Sequence, residues 1–167
     1  MNIIEFKILD IQHGWIFAAI ETDTGQIVLS NSYLQGLQMP GIFIQSIIDL
    51  LNKKEQEKWI CWHGESTAYI WHLTVRNDIL ELLIYDGGSS FGLPLSGHAL
   101  SRYTVSSDTI FEANGSLSFF AQSVCDEFKF YSYGGGYDIW QNSKYKDMFP
   151  RTELSLLRKT LRQSNRK

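Results

Sequence analysis

Between Trp59 and Tyr85 the chain reads WICWHGESTAYIWHLTVRNDILELLIY, three apolar runs divided by two turn signals. The stretch holds three of the five tryptophans and two of the four histidines. Residues 58–63, 67–76 and 79–85 are rich in aromatic and β-branched types, which fit a pleated, half-buried surface. Asn77-Asp78 suits a two-residue hairpin turn, because both residues tolerate positive φ. Gly64-Glu65-Ser66 supplies the other turn. The pattern predicts a central antiparallel meander.

Side chains alternate faces along a strand, so register decides what each residue does. A turn at Asn77-Asp78 sets Val75 against Leu80, Leu73 against Leu82 and Trp71 against Ile84. A three-residue first turn sets Cys61 against Tyr69 and Trp59 against Trp71 on that same side. This face is almost wholly apolar and is the predicted core. The other face carries Ile60, Trp62, Ala68, Ile70, His72, Thr74, Ile79, Glu81, Leu83 and Tyr85. It is too apolar for a purely solvated surface. Its candidate covers are the chain's own loops, a second subunit or a partner.

The rest of the chain supplies elements to pack on this meander. Residues 3–10, 15–21 and 26–30 read as three strands joined by tight turns at His13-Gly14 and 22–25. Residues 31–41 form a linker. Ile44, Ile47, Ile48 and Leu51 then fall at helical spacing within 42–52. Asp86 to Gly97 is glycine-rich and predicts an exposed, mobile loop. Ala99–Val105 and Asp108–Glu112 read as further extended pieces. Asn114 reads as the cap of a helix with its stripe at Leu117, Phe120, Ala121, Val124 and Phe128. Gly134-Gly135-Gly136 stops it, and a helical turn is expected around Trp140. Pro150 opens a last helix with Leu154, Leu157 and Leu161 inward. Residues 163–167 are expected to fray. The fold class is therefore α+β: one antiparallel sheet of about six strands in the order β-β-β-α-β-β-β, then helices packed on one face. Residues 1–167 suit a single domain, at 44% hydrophobic and 20% charged.

Several functions are disfavoured. No apolar run approaches the roughly 18 residues of a membrane span. The N-terminus does not resemble a signal peptide, and two cysteines, Cys61 and Cys125, make no disulfide framework. A cytoplasmic location is expected. The net charge is −3, yet Arg151, Arg158, Lys159, Arg162, Arg166 and Lys167 against Glu153 make the end +5 and leave −8 on residues 1–150. An acidic body argues against nucleic acid and suits a basic protein partner.

No catalytic constellation emerges. The run Gly87-Gly88-Ser89-Ser90-Phe91-Gly92 lacks the lysine of a phosphate loop, and Gly134-Gly135-Gly136 lacks a dinucleotide pattern. Cys61 and His63 share a face while His72 points away, so a zinc site lacks its ligands. Ser89, Ser90, Ser96 and His98 form no nucleophile elbow, and Asp126 and Glu127 diverge on a helix. No metal, cofactor or enzymatic activity is expected. Trp62, His72 and Tyr85 instead project from the second face near Glu65 and Glu81. Trp and Tyr anchor protein interfaces, so these five are the candidate partner-binding residues. The plainer alternative packs them beneath the chain's own loops.

Trp62-His63-Gly64-Glu65 entering the Trp71 strand, with Tyr137, Trp140, Phe149-Pro150, Leu154 and Leu157, resembles small bacterial immunity-type proteins of polymorphic toxin systems. That resemblance implies a protein that binds and neutralises a basic toxin. An alternative class is a small-molecule-binding protein or enzyme with a pocket under the 86–97 loop, and a third is a homodimer through the second face.

Overall fold

The computed structural model describes residues 3–89 and 92–164. Ser90 and Phe91 of the glycine-rich run, and residues 165–167 of the tail, lie outside them. The first meander forms as the alternation requires: β1 (Ile4–Gln12), β2 (Trp15–Thr22) and β3 (Gly25–Ser32). His13 and Gly14, at φ 49° and 84°, make the tight β1–β2 turn. Residues expected to be a plain linker contain a short helix, α1 (Tyr33–Gly36), and the predicted helix begins early, as α2 (Met39–Leu51) with Pro40 in its first turn.

The central meander is β4 (Glu57–Gly64), β5 (Thr67–Arg76) and β6 (Ile79–Asp86). A fourth strand joins it: β7 (Thr109–Ser116) pairs with β6. The strands therefore form two antiparallel sheets, of three and four strands, rather than one sheet of about six. Asn114 lies inside β7 and caps nothing. Ser116 caps the next helix, α3 (Leu117–Tyr133), its Oγ accepting the Phe119 N–H at 3.2 Å. Ala99–Val105, read as extended, instead falls largely in a 3₁₀ turn over His98–Tyr103. A second short helix, α4 (Tyr137–Gln141), surrounds Trp140, and α5 (Arg151–Ser164) closes the fold. Gln163 and Ser164, expected to fray, belong to α5.

One apolar core joins all of this. Phe43 of α2 lies against Trp71 of β5 at 5.4 Å and against Phe6 of β1 at 5.0 Å. Lys58 reaches from the same face of the sheet to Asp49 of α2 at 2.8 Å. Helix α5 packs on α2 and α3, so it forms the outer helical layer on that side. Helix α3 also covers the bare edge of the three-stranded sheet. Ser123 Oγ accepts the Phe6 N–H at 3.0 Å, and Glu127 Oε2 accepts the Ile8 N–H at 2.9 Å. One turn of helix separates these acceptors, two residues of strand the donors, so both of these edge amides find a partner. Between the two sheets, Asn31 of β3 accepts the His63 N–H of β4 at 3.2 Å and donates to Gly36 O and Tyr145 Oη. Among the described residues no helix is long and apolar enough to cross a membrane.

Candidate functional site

The β5–β6 register is the one the turn chemistry requires: Val75–Leu80, Leu73–Leu82 and Trp71–Ile84. Asn77 and Asp78 stand at φ 51° and 63°. The β4–β5 register differs by one residue. Gly64 pairs with Thr67, leaving a two-residue turn at Glu65-Ser66 with Glu65 at φ 53°. Gly64 fits there because it has no side chain; a Cβ would meet Ser30 Oγ at 3.0 Å. A one-residue slip turns every side chain of a strand over. Ile60 and Trp62 therefore enter the core, and Trp59, Cys61 and His63 face the other way.

This corrects the placement of Trp62. It is 3% exposed, stacked on Trp71 at 5.2 Å, and offers no surface. Glu65 is exposed in the turn and accepts from Ser32 Oγ at 3.0 Å, at the end of the hairpin away from Glu81, which pairs with Thr74. His72, Glu81 and Tyr85 do share the second face.

The chain covers part of that face itself. Leu93 and Leu100 are buried on Trp59, Cys61, Ala68 and Ile70, with Tyr85 at the margin. Leu95 O accepts the Cys61 N–H, and Gly97 N–H donates to Trp59 O, both at 2.9 Å. The segment after the glycine run thus adds rungs to the β4 edge instead of standing free. Leu93 and Leu100 occupy the space where a pocket under the loop was expected. A recess of about 330 Å³ opens at the rim instead, lined by Ser46, Glu57, Lys58, Trp59, Ser96 and His98 among others.

The other half of the face is open. Its rows follow from the pairing: Glu57, Thr74, Glu81 and Asn114 cross the sheet together, then Trp59, His72, Leu83 and Glu112. His72 lies flat on Trp59 at 3.8 Å. Its Nε2 donates to Glu57 Oε2 at 3.0 Å, with Thr74 Oγ1 3.2 Å away. His98 Nδ1 stands 3.5 Å from the second oxygen, Glu57 Oε1. The hydrogen bond from His72, against a smaller opposing effect of desolvation, holds the Glu57 carboxyl below its ordinary value. Among the described residues Glu81 and Glu112 have no salt-bridge partner. Arg76 stands at the hairpin end of the same face.

The corrected register also brings Cys61, His63 and His72 to one side, contrary to the expectation that His72 points away. Even so, among the described residues no three His, Cys, Asp or Glu side chains are placed to hold a metal ion. Burial pushes the Cys61 thiol up to about 12, so it is inert as a nucleophile at neutral pH. Glu57, Trp59 and Glu112 were missed by sequence reasoning, while His98 was considered only as a nucleophile's or pocket's neighbour. The first two follow from the β4 register, and Glu112 from recognising β7 as a full strand. No protein-family model, curated protein or solved structure matches the chain.

Proposed function

We propose that this chain is a non-enzymatic protein-interaction module that takes a basic protein partner on the open half of the second sheet face, and that the partner is a toxin it neutralises. One observation carries the reading. Glu57, Glu81 and Glu112 border a strip of His72, Leu83 and Tyr85, and the last two carboxylates lack a cation among the described residues. An apolar centre with a charged rim is the usual anatomy of an interface. The carboxylates select a basic partner and speed its approach. The toxin identity rests on the resemblance carried by residues 62–65 and 137–157.

The test is calorimetric titration against the product of the adjacent gene, inactivated at its catalytic residue. A complex tighter than micromolar is expected. E81K/E112K should weaken it at least about tenfold, or about 1.4 kcal/mol, without lowering the melting temperature. No complex, or one indifferent to the charge reversal, overturns the reading.

The rim recess favours a second reading, a small cationic ligand held there by Glu57. A panel of small amines titrated into the wild type and E57Q decides it. No heat with the wild type, or equal heat with both, removes it.

A further inference from the structure

The molecule is electrically two-faced. On the outer layer, α5 carries Arg158, Lys159 and Arg162 within one turn, and none of them has a carboxylate partner among the described residues. Lys129 of α3 stands beside Arg158 and Arg162 along a shared groove. The apolar stripe of α5 is spent on the core, where Leu154, Leu157 and Leu161 are buried, so this surface interacts through charge. The open face of the four-stranded sheet lies across the core from it and carries Glu57, Glu81 and Glu112.

We infer that α5 of one molecule docks on the open acidic sheet face of a second copy. The two surfaces lie on opposite sides of one fold and cannot meet within it, so their pairing requires two molecules. Their spacings agree. Cations one helical turn apart sit about 6 Å from one another. Glu81 and Glu112, on neighbouring strands and two residues out of step, have Cα atoms roughly 8 Å apart at ordinary strand spacing. A basic helix therefore lies across an acidic sheet with charges in reach. Donor and acceptor surfaces differ, so the contact is heterologous and leaves a free end at each side. It rests on the open face being a docking surface. In the absence of a basic partner, a second copy supplies the cations, and a partner must displace it.

The experiment is sedimentation velocity on the full chain. At about 0.01 M salt, where screening extends about 30 Å, the wild-type coefficient should rise with concentration; at about 1 M, where it falls to about 3 Å, the chain should run as monomer. Two exposed-surface variants, K159E/R162E and E81K/E112K, should each be monomeric at low salt. Mixed in equal amounts they should associate again, with a coefficient that rises with concentration, because each contact then pairs opposite charges: the acidic face of one with the basic helix of the other, and the lysine-bearing face with the glutamate-bearing helix. Circular dichroism melts identical to wild type certify both folds. A monomeric wild type at low salt, a monomeric mixture, or either variant associating alone overturns the inference. Partner binding reports separately: K159E/R162E abolishes self-association while leaving a toxin complex intact, so the two ideas fail independently.

Discussion

Trp62 shows how much one register step decides at the level of a residue. Placed on the second face it would be a binding anchor whose loss leaves stability unchanged. In the structure it stacks on Trp71 and lies edge-on to Phe43 at 5.7 Å. Trp62→Ala should therefore cost about 3–5 kcal/mol in urea unfolding. A loss below about 1 kcal/mol would contradict the buried placement. Glu127 gives a pH-dependent case. Its carboxyl lies above the ordinary value because burial outweighs the hydrogen bond from the Ile8 amide. A group whose folded value is raised contributes stability below its unfolded value, about 4.3, and that contribution is lost as pH rises through the folded value. Glu127→Gln keeps an acceptor for the Ile8 N–H and removes the ionisation. The variant should match wild type near pH 4 and gain on it toward pH 7. Glu127→Ala leaves that N–H unpaired and should cost about 1–3 kcal/mol at either pH. Parallel pH slopes for wild type and Glu127→Gln would refute the assignment.

Among the elements, the segment from Leu93 to Leu100 departs furthest from a free loop. Its two leucines seal Cys61, which is 0% exposed, while Cys125 is sealed separately between α3 and α5 and is 2% exposed. Leu100→Ala removes packing worth about 2–5 kcal/mol. The segment should then open locally, and Cys61 should label with a thiol reagent at least tenfold faster, since about 1.4 kcal/mol is a factor of ten. Cys125 should keep its rate. Equal acceleration of both would mean global loosening and no separate lid. The contrast with the β5–β6 hairpin explains what could be read from the residues. Asn77-Asp78 sets its register through local φ preference, so the three core pairs were legible. Helix α3 was legible for the same reason, its stripe being local. The β4 side of the hairpin lies beside β3, where Asn31 accepts the His63 N–H, a neighbour more than thirty residues away. The Leu93 cover likewise depends on an apolar face whose identity only the correct register reveals. Half of the candidate site was therefore visible, His72, Glu81 and Tyr85, and the half set by long-range packing was not.

At the scale of the whole molecule, the question is whether two sheets make one cooperative unit. The core runs without a break from Ile4, Phe6 and Ile8 of one sheet through α2 to Trp62, Trp71 and Leu82 of the other. Polar contact reinforces the junction at Asn31, which is 0% exposed. Its side chain joins the His63 N–H of the second sheet, Gly36 O of the linker helix and the Tyr145 hydroxyl. Gly36 is required here, since a Cβ at that position would fall 2.0 Å from Asn31 Oδ1. Tyr145 Oη in turn donates to Asn31 O at 2.7 Å, which ties the segment before α5 to the same point. Asn31→Ala strands a buried N–H and a buried carbonyl, each costing about 1–3 kcal/mol, so a total of roughly 2–6 kcal/mol is expected. Because the core is shared, that loss should not be confined to the three-stranded sheet. Native-state hydrogen exchange should show the most protected amides of β2 and of β5 opening with one free energy in the wild type, and falling together by the same amount in Asn31→Ala. Loss of protection in β1 to β3 alone, with β5 unchanged, would divide the chain into two folding units and make Asn31 a contact between them. A shared fall makes the open sheet face and the far helical layer parts of one rigid body, which is what fixes the acidic sheet face and the basic α5 on opposite sides.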